Sequence, residues 1–513
     1  FDLFTEPAYF PELTHPQPCM LMGGRGAGKT TILKRLSYEG RYALDGQSAD
    51  AIKNWDFFGC YYRVNTNRVA AFAGPEASQG DWVKLFAHYL NLEMCELALR
   101  FLSWYALHVP DEPMLSSDAC QEVALSLNLD PVDSVRDLLA RVRHGRLGFE
   151  ALVNNIGDDR VHARLSMQGA PVDVLFSHIC ALAQFKGKHF FFLIDEYENF
   201  SDYQQEVVNT LIKHASSLYT FKVGVRELGL RRRTTLNRNE QLISPSDYVR
   251  IHIAESMGDN FESFAASVCN ERLRRIVSPS SLPAPDIERL LPALTEQDEA
   301  ALLGVSEHYR RISEDLVDFP HHMEFLGGFE PLFAYFLRFW ADSHEMTLVD
   351  AIQAAQEDTP KWRERYDNYR YALLFTLRRK KRGIHKYYAG WSVYCKLVAG
   401  NIRYLLELVD VALHAHLDND GSLHGSVSPK LQTEAAQYVG RKNLTELEGL
   451  SIHGAKLTKL LLSLGRVFQV MAANPEGHTP EANQFALGDF GEDGANGGAD
   501  EVLELLNGAV THL

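Results

Sequence analysis

One glycine-rich stretch near the start of the chain constrains the fold most: "MLMGGRGAGKTTILKRL", Met20 to Leu36. The apolar residues before the glycines predict a short buried strand. The residues after them predict a helix in which Ile32, Leu33 and Leu36 share one face and which ends near Gly40. A glycine loop between a strand and a helix is typical of α/β proteins that hold a phosphate on the helix N-terminus.

The loop itself is a complete Walker A pattern, Gly-x-x-x-x-Gly-Lys-Thr. Its backbone N–H groups would surround the phosphates of ATP, the Lys29 side chain would neutralise the β and γ oxygens, and the Thr30 hydroxyl would bind Mg²⁺. A turn with an incidental lysine is the ordinary alternative, and it requires no flanking strand and helix. The predicted nucleotide-binding residues are Gly23, Gly24, Arg25, Gly26, Ala27, Gly28, Lys29, Thr30 and Thr31.

A second apolar run ends in carboxylates, "FFFLIDEYENF". Asp195 follows the buried-strand pattern directly and is predicted to share the Mg²⁺ with Thr30, as in a Walker B motif. Glu196 is predicted to be the general base that activates the attacking water, which implies hydrolysis rather than binding alone. The plain alternative is a core strand that ends in a solvated acidic turn.

Three further short strands are predicted near Phe57–Thr66, in "YTFKVGVREL" and near Ser246–Ile253. Five buried strands that alternate with helices predict an α/β fold: an αβα sandwich around a parallel five-stranded sheet, with nucleotide at the carboxyl ends of the strands. The polar residue after the fourth strand, Arg226, is a candidate sensor of the γ-phosphate; a solvated arginine is the alternative. A mainly helical insertion is expected at about 81–180, with its aromatic residues in the core.

The motifs "GGRGAGKTT", "FFFLIDEYEN", "FKVGVREL" and "GNIRYLLELVDVAL" together resemble the AAA+ ATPases, and more narrowly their origin-recognition (ORC-type) branch. The resemblance implies a helical lid in which Arg403 is the second sensor arginine. An arginine at position 226 is closer to the related STAND ATPases. The segment "LGGFEPLFAYFLRFW" is also similar to their lid motif through Gly328, Pro331 and Leu332, although Gly–Pro punctuation of helices explains it equally.

Hydrolysis in AAA+ proteins is usually completed by an arginine of a neighbouring subunit, so the resemblance implies a homo-oligomer. This arginine finger would come from the loop "LGLRRRTTLNRNE". The candidates are Arg231, Arg232, Arg233 and Arg238. A solvated loop or a contact to DNA phosphates fits these residues equally well.

The sequence divides into an expected core at 1–255, a helical lid at 256–415, a winged-helix-like domain at 416–488, and an acidic Gly-rich linker with a C-terminal helix at 489–513. The winged-helix interpretation expects short helices, a hairpin strand in "NQFAL", and a recognition helix at Asn443–Leu450. That helix carries Glu446 and Glu448 and no basic residue, so it would read DNA poorly. The Arg378–Lys386 region, followed by aromatic residues, is the other candidate contact to double-stranded DNA.

Composition limits the function classes. The formal net charge is −16, which argues against a uniformly basic surface, and no apolar run is long enough to span a membrane. The 7 cysteines are scattered without a C-x-x-C pair, as expected for buried thiols in a reducing cytoplasm. Two functions fit: an ATP-driven switch that controls a protein effector, as in bacterial antiphage defence, or a DNA-bound initiator or loader in replication.

Overall fold

The computed structural model describes residues 3–45, 47–156, 164–276, 286–378, 381–420, 422–449, 453–473, 484–485 and 496–512. The chain forms two compact units. Unit 1 comprises Phe1–Arg272, Ala399–Arg403 and Val510–Leu513, and unit 2 comprises Leu273–Val398 and Tyr404–Ala509. The chain therefore leaves unit 1 after Arg272 rather than near residue 255, and it returns briefly at Ala399–Arg403.

Unit 1 is built on one parallel sheet of 5 strands in the order β2-β3-β4-β1-β5. The strands are β1 (Cys19–Met22), β2 (Phe57–Arg63), β3 (His189–Asp195), β4 (Thr220–Val225) and β5 (Val249–His252). Each predicted strand is present, and β1, β3 and β4 are almost wholly buried, as apolar strands covered on both faces must be. This confirms the predicted parallel αβα sheet.

The helices of unit 1 cover both faces of this sheet. They are α1 (Phe10–Thr14), α2 (Lys29–Leu36), α3 (Tyr38–Leu44), α4 (Ala49–Lys53), α5 (Thr66–Ala70), α6 (Gln79–His108), α7 (Ser117–Ser126), α8 (Val135–Val153), α9 (Ala170–Ala181), α10 (Asp202–Lys213), α11 (Ile253–Met257) and α12 (Phe261–Ile276). Helix α2 packs on β2, β3 and β4, and α12 runs into unit 2.

The predicted insertion is helical and is formed by α6 to α9. Its aromatic residues belong to the core, as expected, because α6 packs against β2. Phe58 of β2 lies with its ring centroid 4.8 Å from that of Phe101 and 6.0 Å from that of Tyr105. The insertion therefore supports the sheet from one face, and burial of these large rings contributes stability.

Unit 2 is helical. Its elements are α13 (Ile287–Leu290), α14 (Glu296–Leu303), α15 (Val305–Asp315), α16 (Pro320–Leu326), α17 (Pro331–Ser343), α18 (Leu348–Glu357), α19 (Thr359–Leu374), α20 (Trp391–Leu397), most of α21 (Ile402–Asp420), α22 (Pro429–Gly449), α23 (Gly454–Ala473) and most of α24 (Asn496–His512). Helices α14 to α19 share a core around Phe333 and Phe336. Gly328 lies between α16 and α17, and Pro331 is the first residue of α17, so both lie where one helix ends and the next begins.

The C-terminal region differs from the expected winged helix. The segment expected to form the recognition helix, Asn443–Leu450, is not a separate helix, because its described residues are the end of the 21-residue helix α22. No proline follows Pro429 within α22, and buried Ala435 and Val439 keep one face packed, so nothing interrupts it. Most of the expected strand "NQFAL" lies outside the described residues. Helix α24 begins at Asn496, inside the stretch expected to be a linker.

The thiols match the expectation from the sequence: all 7 cysteines are free, and only Cys180 is not fully buried. Among the helices that the structure describes, none combines the length and the hydrophobicity that a membrane span requires.

Candidate functional site

The glycine loop joins the end of β1 to the start of α2, with its glycines in the conformation that the motif requires. Gly26 has φ = 89° and Gly28 has φ = 98°, in the left-handed region that favours glycine. Gly28 is the N-cap residue of α2. Backbone N–H groups at this helix start are therefore available to an anion.

Lys29 lies within this loop and is only 9% exposed. Its ammonium group donates hydrogen bonds to the carbonyl oxygens of Gly23 at 2.5 Å and Gly24 at 2.8 Å. Burial is the main reason why the pKa of Lys29 is lowered, and the positive charge of Arg226 lowers it further. An anionic phosphate would favour the charged lysine, so the site fits a nucleotide phosphate.

Asp195 lies at the end of β3, is 1% exposed, and is held at both carboxylate oxygens. Oδ2 accepts hydrogen bonds from the Thr30 hydroxyl at 2.7 Å and the Tyr61 hydroxyl at 2.8 Å. Oδ1 accepts one from the backbone N–H of Glu196 at 3.0 Å. The fold thus brings together Thr30 and Asp195, the two residues predicted to hold Mg²⁺.

The oxygen atoms of Thr30 and Asp195 suit a magnesium ion. A hydroxyl and a carboxylate are the hard oxygen ligands that Mg²⁺ prefers, with water and substrate phosphates completing its shell. Among the described residues no group of three or more His, Cys, Asp or Glu side chains could hold a metal. The site therefore fits an ion bound jointly with a nucleotide, rather than a cage made of protein ligands alone.

Glu196, the predicted general base, is restrained by two neighbours that the sequence did not reveal. Its backbone is left-handed, with φ = 60°. One carboxylate oxygen accepts a hydrogen bond from Arg63 Nη2 at 2.8 Å, and the other accepts one from Asn199 Nδ2 at 3.2 Å. Arg63 ends β2 and is paired with Asp195 in the sheet register, so the strand alignment places it beside Glu196.

Gly224 on β4 is a further residue that sequence reasoning missed. A Cβ atom at this position would lie 2.8 Å from Leu33 Cδ1 and 3.2 Å from Asp195 Oδ1. Only a residue without a side chain leaves α2 and Asp195 this close to the strand. A glycine inside the apolar run "FKVGV" is the signal that could have found it, because glycine in a strand often marks a close approach.

Arg226 follows β4, as predicted, and is engaged by an acidic side chain. Its Nε lies 2.8 Å from Glu198 Oε1, and its backbone N–H donates to the other oxygen of Glu198 at 3.2 Å. Its charge also lowers the pKa of Lys29, after the larger effect of burial. Arg226 is thus an electrostatic neighbour of the phosphate loop, and Glu198 positions it.

Arg403 also reaches the phosphate loop. The segment Ala399–Arg403 belongs to unit 1 although it precedes the body of α21 in unit 2. A Cβ at Gly26 would lie 2.8 Å from Arg403 Cβ, and the side-chain amide of Asn401 donates to the Arg25 carbonyl at 2.8 Å. Arg403 is therefore near the loop, as the resemblance implies, and Asn401 is an additional contact.

The four candidate finger arginines differ in their environment. Arg231 bonds to Asp202 and to the backbone carbonyls of Glu198 and Phe200, and Arg232 donates to Asp202 at 2.9 Å. The exposed side chains of Arg233 and Arg238 make no hydrogen bond or ion pair within the part of the chain that the structure describes. These two are available to an external anion, whereas the other two are held inside the subunit.

The basic Arg378–Lys386 region is less available than its sequence suggests. Lys381 lies 3.2 Å from Glu307, and Lys386 lies 2.5 Å from Glu299. Trp391 behind the basic run is buried. These pairs neutralise part of the charge that would bind DNA, and the buried ring is not offered for stacking on bases.

The fold and the site together define an AAA+ P-loop ATPase. Strand β4 lies between β1, which leads into the Walker A loop, and β3, which carries Asp195 and Glu196, and all five strands run parallel. The family model described as ORC-CDC6-like matches residues 1–513, so the chain belongs to the ORC-CDC6-like family. Neither the curated proteins nor the solved structures gave a significant match to this chain.

Proposed function

We propose that the protein binds and hydrolyses ATP with Mg²⁺ and uses the cycle as a switch. Lys29 and the loop N–H groups bind the phosphates, and Thr30 and Asp195 hold the metal. When bound, Mg²⁺ neutralises charge on the phosphate oxygens. Glu196 accepts a proton from the attacking water, and Arg226 and Arg403 respond to the γ-phosphate.

One observation carries the switch proposal: Glu196 is bonded to Arg63 and Asn199. Each carboxylate oxygen keeps a further lone pair, but these two contacts fix the direction of the carboxylate, and it has to turn away from Arg63 to meet the attacking water. Hydrolysis therefore requires a second arrangement of this site, and a partner that favours this arrangement sets the rate. ATP can favour one state only through contacts that differ between the two.

We propose that efficient hydrolysis also requires a neighbouring subunit. Phosphoryl transfer depends on charge stabilisation, and an added arginine greatly accelerates it. Arg233 and Arg238 are exposed and are not held by the described residues, so they are our candidates for the arginine supplied to a neighbour. We therefore propose that the active form is a homo-oligomer.

For the partner, we favour a protein effector, with bacterial defence against phage or foreign DNA as the setting. The formal net charge of −16, the STAND-like position of Arg226 and the ion-paired lysines of the basic region support this choice. A DNA-bound initiator or loader is the second candidate. Membership of the ORC-CDC6-like family favours it, and so do Arg233 and Arg238, which are exposed between β4 and β5 in the chain and are not bound by any described residue.

Steady-state ATP turnover with and without duplex DNA, over a range of salt concentrations, distinguishes the two. Stimulation that fades as salt rises means that basic side chains bind phosphates, and it favours the DNA-bound function. An unchanged rate favours the effector switch. A gene position beside a nuclease or another toxic effector would support the latter, and a position beside replication genes would contradict it.

Two variants test the chemistry directly. Glu196→Gln should bind ATP but not turn it over, which traps the assembled form, and wild-type turnover by this variant would disprove the general-base assignment. Lys29→Ala should lose ATP binding and turnover together. Undiminished ATP affinity of this variant in a calorimetric titration would disprove the role of the loop.

A further inference from the structure

One side-chain amide joins the phosphate loop to the start of helix α21. The Nδ2 group of Asn401 donates to the Arg25 carbonyl at 2.8 Å, and its Oδ1 accepts from the backbone N–H of Arg403 at 3.1 Å. Asn401 is the N-cap residue of α21, because the helix begins at Ile402. Both contacts require the same orientation of the amide, since a carbonyl needs a donor and an N–H needs an acceptor.

The contact to Arg25 fixes more than one carbonyl group. The C=O of Arg25 and the N–H of Gly26 belong to one planar trans peptide and point in opposite directions. When Asn401 holds the carbonyl, the N–H of Gly26 is directed to the opposite side of the loop. In a Walker A loop, N–H groups of this kind surround the phosphates.

Gly26 provides an independent sign of this contact. The Walker A pattern specifies Gly23 and Gly28 and leaves position 26 open. Yet Gly26 has φ = 89°, and a Cβ there would lie 2.8 Å from Arg403 Cβ and 2.9 Å from Asn401 Oδ1. The left-handed backbone and the close approach of the Ala399–Arg403 segment therefore both favour glycine at this position.

We propose that Asn401 is a positioning residue that couples the phosphate loop to helix α21. Phosphates bound to the Gly26 N–H stabilise the orientation of the Arg25–Gly26 peptide that Asn401 also holds. ATP binding and the ordered first turn of α21 therefore favour each other, and the coupling is reciprocal. Since the rest of α21 belongs to unit 2, the state of the loop is communicated along a continuous helix. This inference rests on the proposed function of the loop in ATP binding.

The test uses the full chain and separates coupling from capping. Asn401→Ser keeps an N-cap acceptor but is too short to reach the Arg25 carbonyl, whereas Asn401→Ala loses both contacts. Asn419→Ser is the matched control, because Asn419 lies in the same helix and its amide donates to the Ala415 carbonyl at 2.7 Å, four residues back. The measurements are ATP titration and hydrogen exchange of the α21 amides with and without Mg·ATP.

In the wild type and in Asn419→Ser, ATP should slow amide exchange in the first turn of α21. In Asn401→Ser this slowing should be lost, and the Kd for ATP should rise about fivefold, the factor given by one net hydrogen bond of about 1 kcal/mol. If Asn401→Ser behaves as the wild type while Asn401→Ala does not, Asn401 is only a helix cap and the proposal is wrong. Asn401→Asp, which also keeps the cap, repeats the test should the serine variant fail to fold.

The titration of the wild type separates this proposal from the proposed function. A wild-type protein that does not bind ATP contradicts both. A wild-type protein that binds ATP, together with an Asn401→Ser variant that keeps the ATP-dependent protection, contradicts the coupling alone.

Discussion

Replacing Arg63 by alanine should make the protein a faster ATPase. The guanidinium of Arg63 lies 2.8 Å from a carboxylate oxygen of Glu196, and in the proposed cycle this contact breaks when the carboxylate turns toward the attacking water. Removing the arginine removes the cost of breaking it. The remaining hydrogen bond from Asn199, at 3.2 Å, still orients the glutamate.

The size of the effect follows from exposure. The side chain of Arg63 is 66% exposed and that of Glu196 is 30% exposed, so solvent screens their attraction. Exposed ion pairs contribute about 0.2–1 kcal/mol. Arg63→Ala should therefore raise kcat by a factor of up to about five, since 1.4 kcal/mol corresponds to a factor of about ten. The gain should shrink at high salt, which weakens the ion pair in the wild type.

The assay is phosphate release at saturating ATP and Mg²⁺, at low and at high salt. Arg141→Ala is the matched control, because Arg141 forms an ion pair with Asp130 at the same 2.8 Å and is also partly exposed, at 42%. Its turnover should equal that of the wild type. A kcat for Arg63→Ala below the wild-type value would refute the argument, since Arg63 would then assist the reaction rather than restrain the base.

Three further outcomes are expected. Tyr61→Phe removes a 2.8 Å hydrogen bond to Asp195, so half-maximal turnover should need about fivefold more Mg²⁺; an unchanged Mg²⁺ titration contradicts this. Arg233→Ala or Arg238→Ala should lower kcat about a thousandfold without weakening ATP binding, and mixing with a phosphate-loop variant should restore turnover if the arginine acts between subunits. Burial lowers the pKa of His88 to about 4, so the folded state resists protonation below pH 6.5. The free energy of unfolding should therefore fall by up to about 3 kcal/mol between about pH 6.5 and 4, and less so in His88→Gln, as urea unfolding would measure.

Much of the fold could be predicted from the sequence because the signals are local. The glycines of the phosphate loop, the apolar run before Asp195 and the helical periodicity of the insertion each lie within one continuous segment. The turn that the loop makes fixes the positions of Lys29 and Thr30 relative to Gly23 and Gly28. Consequently the five strands and their parallel arrangement could be predicted correctly.

In the C-terminal region, local sequence patterns are not sufficient to predict where the helices begin and end. The winged-helix interpretation predicts a separate helix at Asn443–Leu450, but the described residues of this segment continue one helix of 21 residues, which is packed along one face. A single glycine such as Gly440 weakens a helix by only about 1 kcal/mol, which tertiary burial readily offsets. The sequence alone does not state how much of a helix face will be buried.

The sequence by itself determined the class of the protein, because the phosphate loop and the acidic strand end need particular residues at fixed local spacings. Only the tertiary structure decided how the site is restrained. Strand register places Arg63 beside Asp195 and Glu196, although more than a hundred residues separate them in the chain. The return of the chain at Ala399–Arg403 likewise places Asn401 on the phosphate loop. Such contacts depend on how distant segments pack together, and no local pattern encodes them.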